Sequence, residues 1–246
     1  MASNPPAACC ATGFKHDGTP VGEVKNIDGV ETYIVSPKDN KKPEKAVIFI
    51  TDIFGLALTN AKLVADEFAN NGYLTVIPDL FNGDPISPAD MDSGKADIPN
   101  WLPKHTTAQV DPIVQKSIKY VRETLGVKQV GAVGYCFGGK YVCRFLKPGQ
   151  IDVGYTAHPS FVTDEELAGI AGPLSIAAAE IDQIFTTELR HKSEDILIKG
   201  GRPWQLNLFG GVSHGFAVRG DPNDQKQKYA KEQAFCQAVG WFNQHL

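Results

Sequence analysis

Residues 134–139 read GYCFGG and decide how the rest of the chain is interpreted. They follow the apolar run VGAV at residues 130–133 and precede a helix-like segment at 140–146. A strand, a sharp turn between glycines and a helix form a nucleophile elbow, with Cys136 where serine usually stands in G-x-S-x-G. The glycines are needed because the strained turn leaves no room for neighbouring side chains. The free N–H groups at the start of the helix would favour a thiolate at Cys136, which could attack a carbonyl carbon.

The same pattern also fits a tight turn whose cysteine only packs, since free cysteine is among the most buried residue types. Two other cysteines are predicted to be structural, because Cys143 falls inside the following helix and Cys236 inside a C-terminal helix. Cys9 and Cys10 form a vicinal pair, and no second Cys/His pair follows at zinc-finger spacing. The motif therefore needs partners elsewhere in the chain before it indicates catalysis.

Composition sets the class of protein. The chain has 246 residues, of which 42% are hydrophobic and 21% charged, enough for a full core. We expect one domain spanning residues 1–246.

The net charge of −4 gives no reason to expect nucleic acid or a membrane surface as a partner. The sequence shows no signal-peptide pattern and no apolar run long enough to span a membrane. Five cysteines without framework spacing suit a reducing compartment, which predicts a cytoplasmic protein.

Strand-like and helix-like segments alternate along the chain. Asp28-Gly29 predicts a turn within an N-terminal hairpin at 24–35, and residues 79–103 are predicted to be a long functional loop with one short helix. The remaining strands are predicted at 46–51, 73–78, 130–133, 152–158, 173–179 and 204–209, and the helices at 60–70, 109–125, 140–146, 187–199 and 225–245. This alternation predicts an α/β fold with a mostly parallel central sheet and helices on both faces.

Polar residues follow most of the predicted strands. In parallel sheets, active sites lie beyond the carboxyl ends of the strands. The residues placed there are Asp52, Asp79, Cys136, His158, Glu180, Asp182 and His214.

Three of these residues occur in the order nucleophile, acid and histidine that a hydrolase triad requires: Cys136, Asp182 and His214. Taken alone, Asp182 could be a helix N-cap ahead of residues 184–189, and His214 could be a surface-loop histidine. Glu180 competes with Asp182 for the acid role, and two residues apart they cannot both point at the histidine. The three residues together, each after its own strand, favour a triad.

The chain resembles the dienelactone hydrolase (carboxymethylenebutenolidase-like) family, in its fungal cytosolic branch. The resemblance covers nearly the whole chain and is carried by TDIFG at 51–55, PDLF at 78–81, GYCFGG at 134–139, AHPS at 157–160, AAEID at 178–182 and GVSHGF at 211–216. It implies an α/β-hydrolase fold, the triad named above and an oxyanion hole formed by the backbone N–H groups of Phe137 and Ile53.

The chain departs from this family at one position. Asp52 stands where bacterial members usually carry a glutamate thought to interact with the resting cysteine, so Asp52 is a candidate modulator of Cys136. The arginines that bind a substrate carboxylate in bacterial members cannot be placed by motif, and the candidates are Arg190, Arg202 and Arg219, each of which could equally be a solvated surface charge.

Several other side chains flank the predicted mouth of the site. Phe54, Trp101 and Phe216 are candidate pocket residues, as are Phe81 and Phe161, although ordinary packing explains each of them equally well. For His158 we favour a hydrogen-bonded structural role. Asp79 is predicted to fix a loop through backbone N–H groups.

These expectations describe a carboxylic ester hydrolase of the carboxymethylenebutenolidase type. It would cleave a small-molecule ester or enol lactone through an acyl-thioester, as a monomer or homodimer, with no metal ion and no organic cofactor. The alternative is a catalytically degenerate member of the fold that binds a ligand or senses thiol redox state. A nucleotide-binding protein is disfavoured because neither G-x-G-x-x-G nor a P-loop occurs.

Overall fold

The computed structural model describes residues 18–38 and 43–246, and its centre is an eight-stranded sheet in the order β1-β2-β4-β3-β5-β6-β7-β8. The strands are β1 (Glu23–Ile27), β2 (Val30–Val35), β3 (Lys45–Ile50), β4 (Leu74–Pro78), β5 (Gln129–Tyr135), β6 (Val153–Ala157), β7 (Leu174–Ile181) and β8 (Trp204–Ser213). Only the β1–β2 and β2–β4 pairs are antiparallel. The predicted fold class, a mostly parallel sheet, is confirmed.

The predicted hairpin turn is also present. Asp28 and Gly29 have φ angles of 50° and 86°, the left-handed pair that a tight two-residue hairpin loop requires. From β3 onward the strands run parallel, and the partners Ile50 and Gly134 bring the ends of β3 and β5 side by side. The residues after these two strands therefore emerge at the same edge of the sheet.

The helices are α1 (Thr59–Asn70), α2 (Pro88–Asp92), α3 (Ile98–Trp101), α4 (Thr107–Lys119), α5 (Gly138–Phe145), α6 (Asp164–Ala168), α7 (Thr187–Gly200), α8 (Phe216–Arg219) and α9 (Gln225–His245). The long loop after β4 holds two short helices rather than the one predicted. Each has a side-chain N-cap, Ser87 for α2 and Asp97 for α3, and a proline in its first turn. Helices of four or five residues are too short to show a hydrophobic period, so the pattern missed one.

Two glycines of β5 show that helices cover both faces of the sheet. A Cβ on Gly131 would lie 2.9 Å from side-chain atoms of Phe242, which belongs to α9. A Cβ on Gly134 would lie 2.6 Å from a side-chain atom of Val142, which belongs to α5. Residues three apart in a strand point to opposite faces, so α9 and α5 pack on opposite sides.

The strand β3 is buried on both faces, because Ile48 and Ile50 on one face are 0% exposed and Val47 and Phe49 on the other are 0% and 1% exposed, as its continuous apolar run predicts. The start of α5 lies so close to the end of β3 that a Cβ on Gly138 would be 2.1 Å from the Ile50 carbonyl oxygen. Only glycine fits at that position, which explains the second glycine of the elbow motif. None of the helices that the structure describes is long and apolar enough to cross a bilayer.

The cysteines differ from one another in exposure. Cys143 is buried in α5, and the prediction that it packs in the core is confirmed. The same prediction for Cys236 is wrong, because this residue is exposed on α9. Cys9 and Cys10 lie outside the described residues.

Candidate functional site

Cys136 occupies a strained turn directly after β5. Its φ of 50° is in the left-handed region that non-glycine residues rarely adopt. The turn is held by three backbone hydrogen bonds: the Cys136 N–H donates to Ala157 O at 3.2 Å, and its carbonyl accepts from Gly139 at 3.0 Å and Ser160 at 2.9 Å. The residue has no exposed surface. The sequence motif therefore forms the sharp bend that a nucleophile elbow requires.

Two backbone N–H groups lie where the ends of β3 and β5 meet. Phe137 is the N-cap residue of α5, and Ile53 follows β3 by three residues. Within residues 18–38 and 43–246, neither N–H donates a hydrogen bond to the protein. Both groups thus keep their donor capacity, as an oxyanion hole requires.

Asp182 and His214 form a buried pair. His214 Nδ1 lies 2.9 Å from Asp182 Oδ2, and their side chains are 0% and 1% exposed. The two residues directly follow β7 and β8, whose last residues Ile181 and Ser213 are partners in the sheet. The other Asp182 oxygen accepts hydrogen bonds from the N–H groups of Ile184 and Phe185 at 2.8 and 3.0 Å. With Nδ1 held by the carboxylate, a proton transfer by this ring would use Nε2.

The competing residue Glu180 points elsewhere. It is exposed, and its carboxylate accepts a hydrogen bond from the Gly211 N–H at 2.6 Å. The helix-cap interpretation of Asp182 is only partly right, because α7 begins at Thr187 with Thr186 as its N-cap. Asp182 orders the preceding turn with one oxygen and holds His214 with the other. Of the two acidic candidates, the structure brings Asp182 to the histidine.

The segment after β6 contacts both the elbow and the histidine. Ser160 Oγ lies 3.2 Å from Cys136 Sγ, and Ser160 is fully buried. The His158 ring packs against the His214 ring with centroids 4.8 Å apart and against the Phe216 ring at 5.7 Å. Sequence reasoning placed Ser160 in a matching motif but gave it no role, because nothing local to the motif indicates that its hydroxyl reaches the sulfur.

Arg219 and Asp52 form a second buried pair. Arg219 Nη1 donates to Asp52 Oδ2 at 3.2 Å, and the guanidinium carbon lies 4.8 Å from the centre of the Phe54 ring. Burial raises the pKa of Asp52, and the charge of Arg219, the Phe54 N–H and His214 oppose this effect. Arg219 is 4% exposed, so the surface-charge interpretation is wrong for this residue.

The other two arginine candidates lie elsewhere. Arg190 forms an ion pair with Glu194 within α7, and Arg202 is exposed beyond the end of that helix. Among the described residues, Nε and Nη2 of Arg219 have no hydrogen-bond partner, although both are buried. Arg219 is therefore the candidate arginine with unused donors beside the site.

The candidate pocket residues form two aromatic groups. Trp101 packs on Phe81 and Phe137 with ring centroids 4.9 and 6.1 Å apart, and its indole N–H donates to the Asp84 carbonyl at 2.6 Å. Phe216 packs on Phe209 at 5.2 Å. Cys136 itself has no exposed surface in this structure.

The structure also decides the roles predicted for Asp79 and His158. Asp79 accepts hydrogen bonds from the N–H groups of Phe81 and Gly83, which confirms that it fixes a loop. The hydrogen-bonded role favoured for His158 is wrong, because neither ring nitrogen has a hydrogen-bond partner in the part of the chain that the structure describes. Burial lowers the pKa of His158 well below its usual value, and the charges of His214 and Arg219 add to this effect.

The buried neutral imidazole of His158 predicts a loss of stability in mild acid. In the folded protein it stays neutral, whereas in the unfolded chain it binds a proton below a pKa of about 6.5. Falling pH therefore favours the unfolded state, and between pH 7 and 5 this residue alone is expected to cost about 2 kcal/mol. His158→Asn, which tolerates the left-handed backbone, should reduce the difference between the unfolding free energies at these two pH values by that amount, measured by urea denaturation.

The control for this experiment is His191→Asn, since His191 is exposed on α7. That substitution should leave the pH dependence of unfolding as it is in the wild type. An acid sensitivity that is equal in all three proteins would show that His158 is not held neutral.

The arrangement as a whole suits acyl transfer. It combines a candidate thiol nucleophile, an imidazole oriented by a carboxylate, and two backbone donors at one edge of the sheet. No group of three or more His, Cys, Asp or Glu side chains in the described ranges is placed to hold a metal ion.

Comparison with known proteins assigns the chain to a family. The model of the dienelactone hydrolase family matches residues 30–246. The chain is 50% identical to hydrolase pyvD of Aspergillus violaceofuscus over 246 residues, covering 100% of this chain and 99% of that protein. It is 49% identical over 252 residues to hydrolase tropI of Talaromyces stipitatus, with the same coverage of 100% and 99%.

A solved structure supports the fold. The crystal structure of dienelactone hydrolase from Anabaena variabilis superposes with a TM-score of 0.67 at 14% identity, covering 94% of this chain and 100% of that one. At this identity the likeness concerns the α/β-hydrolase architecture alone. Since the family model covers most of the sequence and two fungal hydrolases share about half of its residues, the chain belongs to the dienelactone hydrolase family and is a hydrolase.

Proposed function

We propose that the protein hydrolyses an ester or enol-lactone bond through Cys136, His214 and Asp182, with an acyl-thioester intermediate. The observation that carries this proposal is the buried 2.9 Å pair of His214 and Asp182 at the sheet edge where Cys136 forms a strained elbow. Cys136, Asp182 and His214 follow β5, β7 and β8, which belong to the parallel part of one sheet. Their order along the chain and their position at the ends of these strands both agree with a nucleophile–acid–histidine mechanism.

In the first half of the reaction the thiol gives its proton to His214 Nε2, and Asp182 stabilises the imidazolium that results. The sulfur attacks the carbonyl carbon, and a C–S bond forms while the carbonyl electrons move to oxygen. The N–H groups of Phe137 and Ile53 donate to this oxyanion, a contribution of about 3 kcal/mol for each donor in other enzymes. When the oxyanion collapses, the C–O bond breaks and the leaving oxygen takes the proton from His214.

The second half releases the acid. His214 takes a proton from a water molecule, the hydroxide adds to the thioester carbonyl, and the C–S bond breaks. The thiolate recovers its proton from the imidazolium, so one water is consumed overall. Enol lactones fit this chemistry because an enolate is a good leaving group for a thiol nucleophile.

Arg219 suggests which substrates the site favours. Its two unused donors are buried, and Nη2 lies against Gly215, the residue after His214, at a position that suits an anionic group of the substrate. Asp52 neutralises part of the arginine charge and keeps the guanidinium over the Phe54 ring. We therefore include lactones and esters with a carboxylate near the scissile bond in the proposed substrate class.

Mass spectrometry of the intact protein tests the covalent step. Brief incubation with p-nitrophenyl acetate, followed by an acid quench, should show a mass increase of one acetyl group, and peptide mapping should place it on Cys136. Cys143 serves as an internal reference, because burial raises its pKa to about 12 and it should remain unmodified. Turnover without any adduct on Cys136 in rapid-quench samples would contradict the mechanism. A protein that shows neither turnover nor an adduct would favour the ligand-binding alternative.

A further inference from the structure

We propose that Ser160 is a positioning residue for the nucleophile, whose hydroxyl donates a hydrogen bond to the Cys136 sulfur and stabilises its thiolate form. This inference rests on the proposed role of Cys136 and adds a fourth side chain to the site.

The contact between the two side chains is short and shielded from solvent. Ser160 Oγ and Cys136 Sγ are 3.2 Å apart, and both residues are 0% exposed. Among the described residues, the sulfur is the only hydrogen-bond partner of the Ser160 hydroxyl. A thiolate can only accept a hydrogen bond, so in the ionised state the serine must be the donor.

The backbone around Ser160 holds the hydroxyl in place. The Ser160 N–H donates to the Cys136 carbonyl at 2.9 Å, and Lys140 Nζ donates to the Phe161 carbonyl at 3.2 Å. His158 and Phe161 have φ angles of 40° and 62°, so two left-handed non-glycine residues lie within four positions. Such strain persists only where the surrounding contacts fix the conformation, so the backbone that carries the Ser160 hydroxyl is held in one conformation beside the sulfur.

Burial makes this contact important for the ionised sulfur. A thiolate with no exposed surface loses the hydrogen bonds that water would give it, and a protein donor must replace them. Hydrogen bonds to charged groups are stronger than those between neutral groups, so the contact favours the thiolate over the thiol. Once the sulfur carries an acyl group it is a weak acceptor, so the stabilisation applies to the free nucleophile and not to the thioester.

The test is the pH dependence of Cys136 alkylation by iodoacetamide, followed by peptide mass spectrometry. In Ser160→Ala the rate at pH 7 should fall about tenfold, because the thiolate fraction falls. At high pH, where the thiol is ionised in both proteins, the variant should react as fast as the wild type or faster, since a less stabilised thiolate is more nucleophilic. A residue that acted only by supporting the fold would change the rate by a similar factor, in either direction, at both pH values.

Ser175→Ala is the matched control. Ser175 is also 0% exposed, but its hydroxyl accepts from Gln205 and Gln237 and makes no contact with Cys136. Its alkylation profile should match that of the wild type. None of these substitutions changes a charged or titratable group of the surrounding elements, which are Tyr135 of β5, Lys140, Tyr141, Cys143 and Arg144 of α5, Tyr155 of β6, and His158, Asp182, His214, Asp52 and Arg219.

Ser160→Gly also lacks the hydroxyl and should give the same profile as Ser160→Ala, so either variant suffices. Equal rates at pH 7 in the wild type and these variants would overturn the role of Ser160. Failure of the proposed function has a different signature, because ester turnover would then persist in Cys136→Ala whatever the alkylation profiles show.

Discussion

Replacing Cys136 by alanine is expected to lower the rate of p-nitrophenyl acetate hydrolysis by about 10⁴-fold or more. The substitution removes the sulfur that forms the covalent intermediate, and His214 and Asp182 alone cannot replace it. Alanine is smaller than cysteine and keeps the backbone of the elbow, so the fold should persist. Initial rates at saturating substrate, corrected for spontaneous hydrolysis, measure the effect, and a thermal melt confirms that the variant is folded.

Cys143→Ala and Cys236→Ala are the controls for this experiment. Cys143 is buried within the next helix, and Cys236 is exposed on α9. Both variants should keep rates within about threefold of the wild type, because neither thiol is placed beside His214 in the proposed mechanism. If Cys136→Ala retained one-tenth of the wild-type rate, or if Cys236→Ala lost most of it, the nucleophile would have to be sought elsewhere.

Local sequence patterns were sufficient to predict most of the fold. Continuous apolar runs marked β3 and β4, the Asp28-Gly29 turn marked the hairpin, and α9 begins and ends at the predicted residues. Each of these features is determined by residues that are close together in the chain, so a local sequence pattern is enough to predict it. The end of β8 was predicted four residues too early, at Phe209, because the glycines at 210 and 211 are typical of a turn. In the structure the strand continues through them to Ser213.

Residue order and the family resemblance favoured Asp182 over Glu180 as the acid, but side-chain alternation along the strand did not separate them. Ala179 pairs with Phe209 whereas Ile181 pairs with Ser213, so β8 accommodates two extra residues at an irregularity in the ladder. In a regular strand, residues 180 and 182 would point to the same side, and no alternation rule separates them. The irregularity and the turn after β7 decide which carboxylate meets His214.

The remaining contacts of the site depend on long-range packing. Arg219 and Asp52 are 167 positions apart, and the sequence around Arg219 does not distinguish a buried guanidinium from an exposed one. The Ser160 hydroxyl meets Cys136 in a segment where His158 and Phe161 both adopt left-handed backbone conformations, which the local sequence does not predict. Such contacts become visible only when the elements are assembled.

Asp182→Asn is expected to lower the rate of ester hydrolysis at pH 7 by about 10³- to 10⁴-fold, the second large effect. The asparagine oxygen can still accept from the N–H groups of Ile184 and Phe185, so the turn is preserved. Its amide group would then face Nδ1 of His214 as a donor, and the imidazole proton would have to reside on Nε2. In that tautomer the ring cannot accept a proton from the nucleophile.

The loss of activity in Asp182→Asn should depend on pH, and a substitution of the nearby Glu180 should not reproduce it. The burst of p-nitrophenol from the first turnover should recover as the pH rises, because a thiolate then forms without a base. In Cys136→Ala no burst should appear at any pH. Glu180→Gln is the matched control, since its carboxylate binds the Gly211 N–H rather than the histidine, and it should change the rate less than about threefold. If Glu180→Gln lost activity while Asp182→Asn kept it, the acid assigned here would be the wrong one, and the observed 2.9 Å pair would have only a structural role.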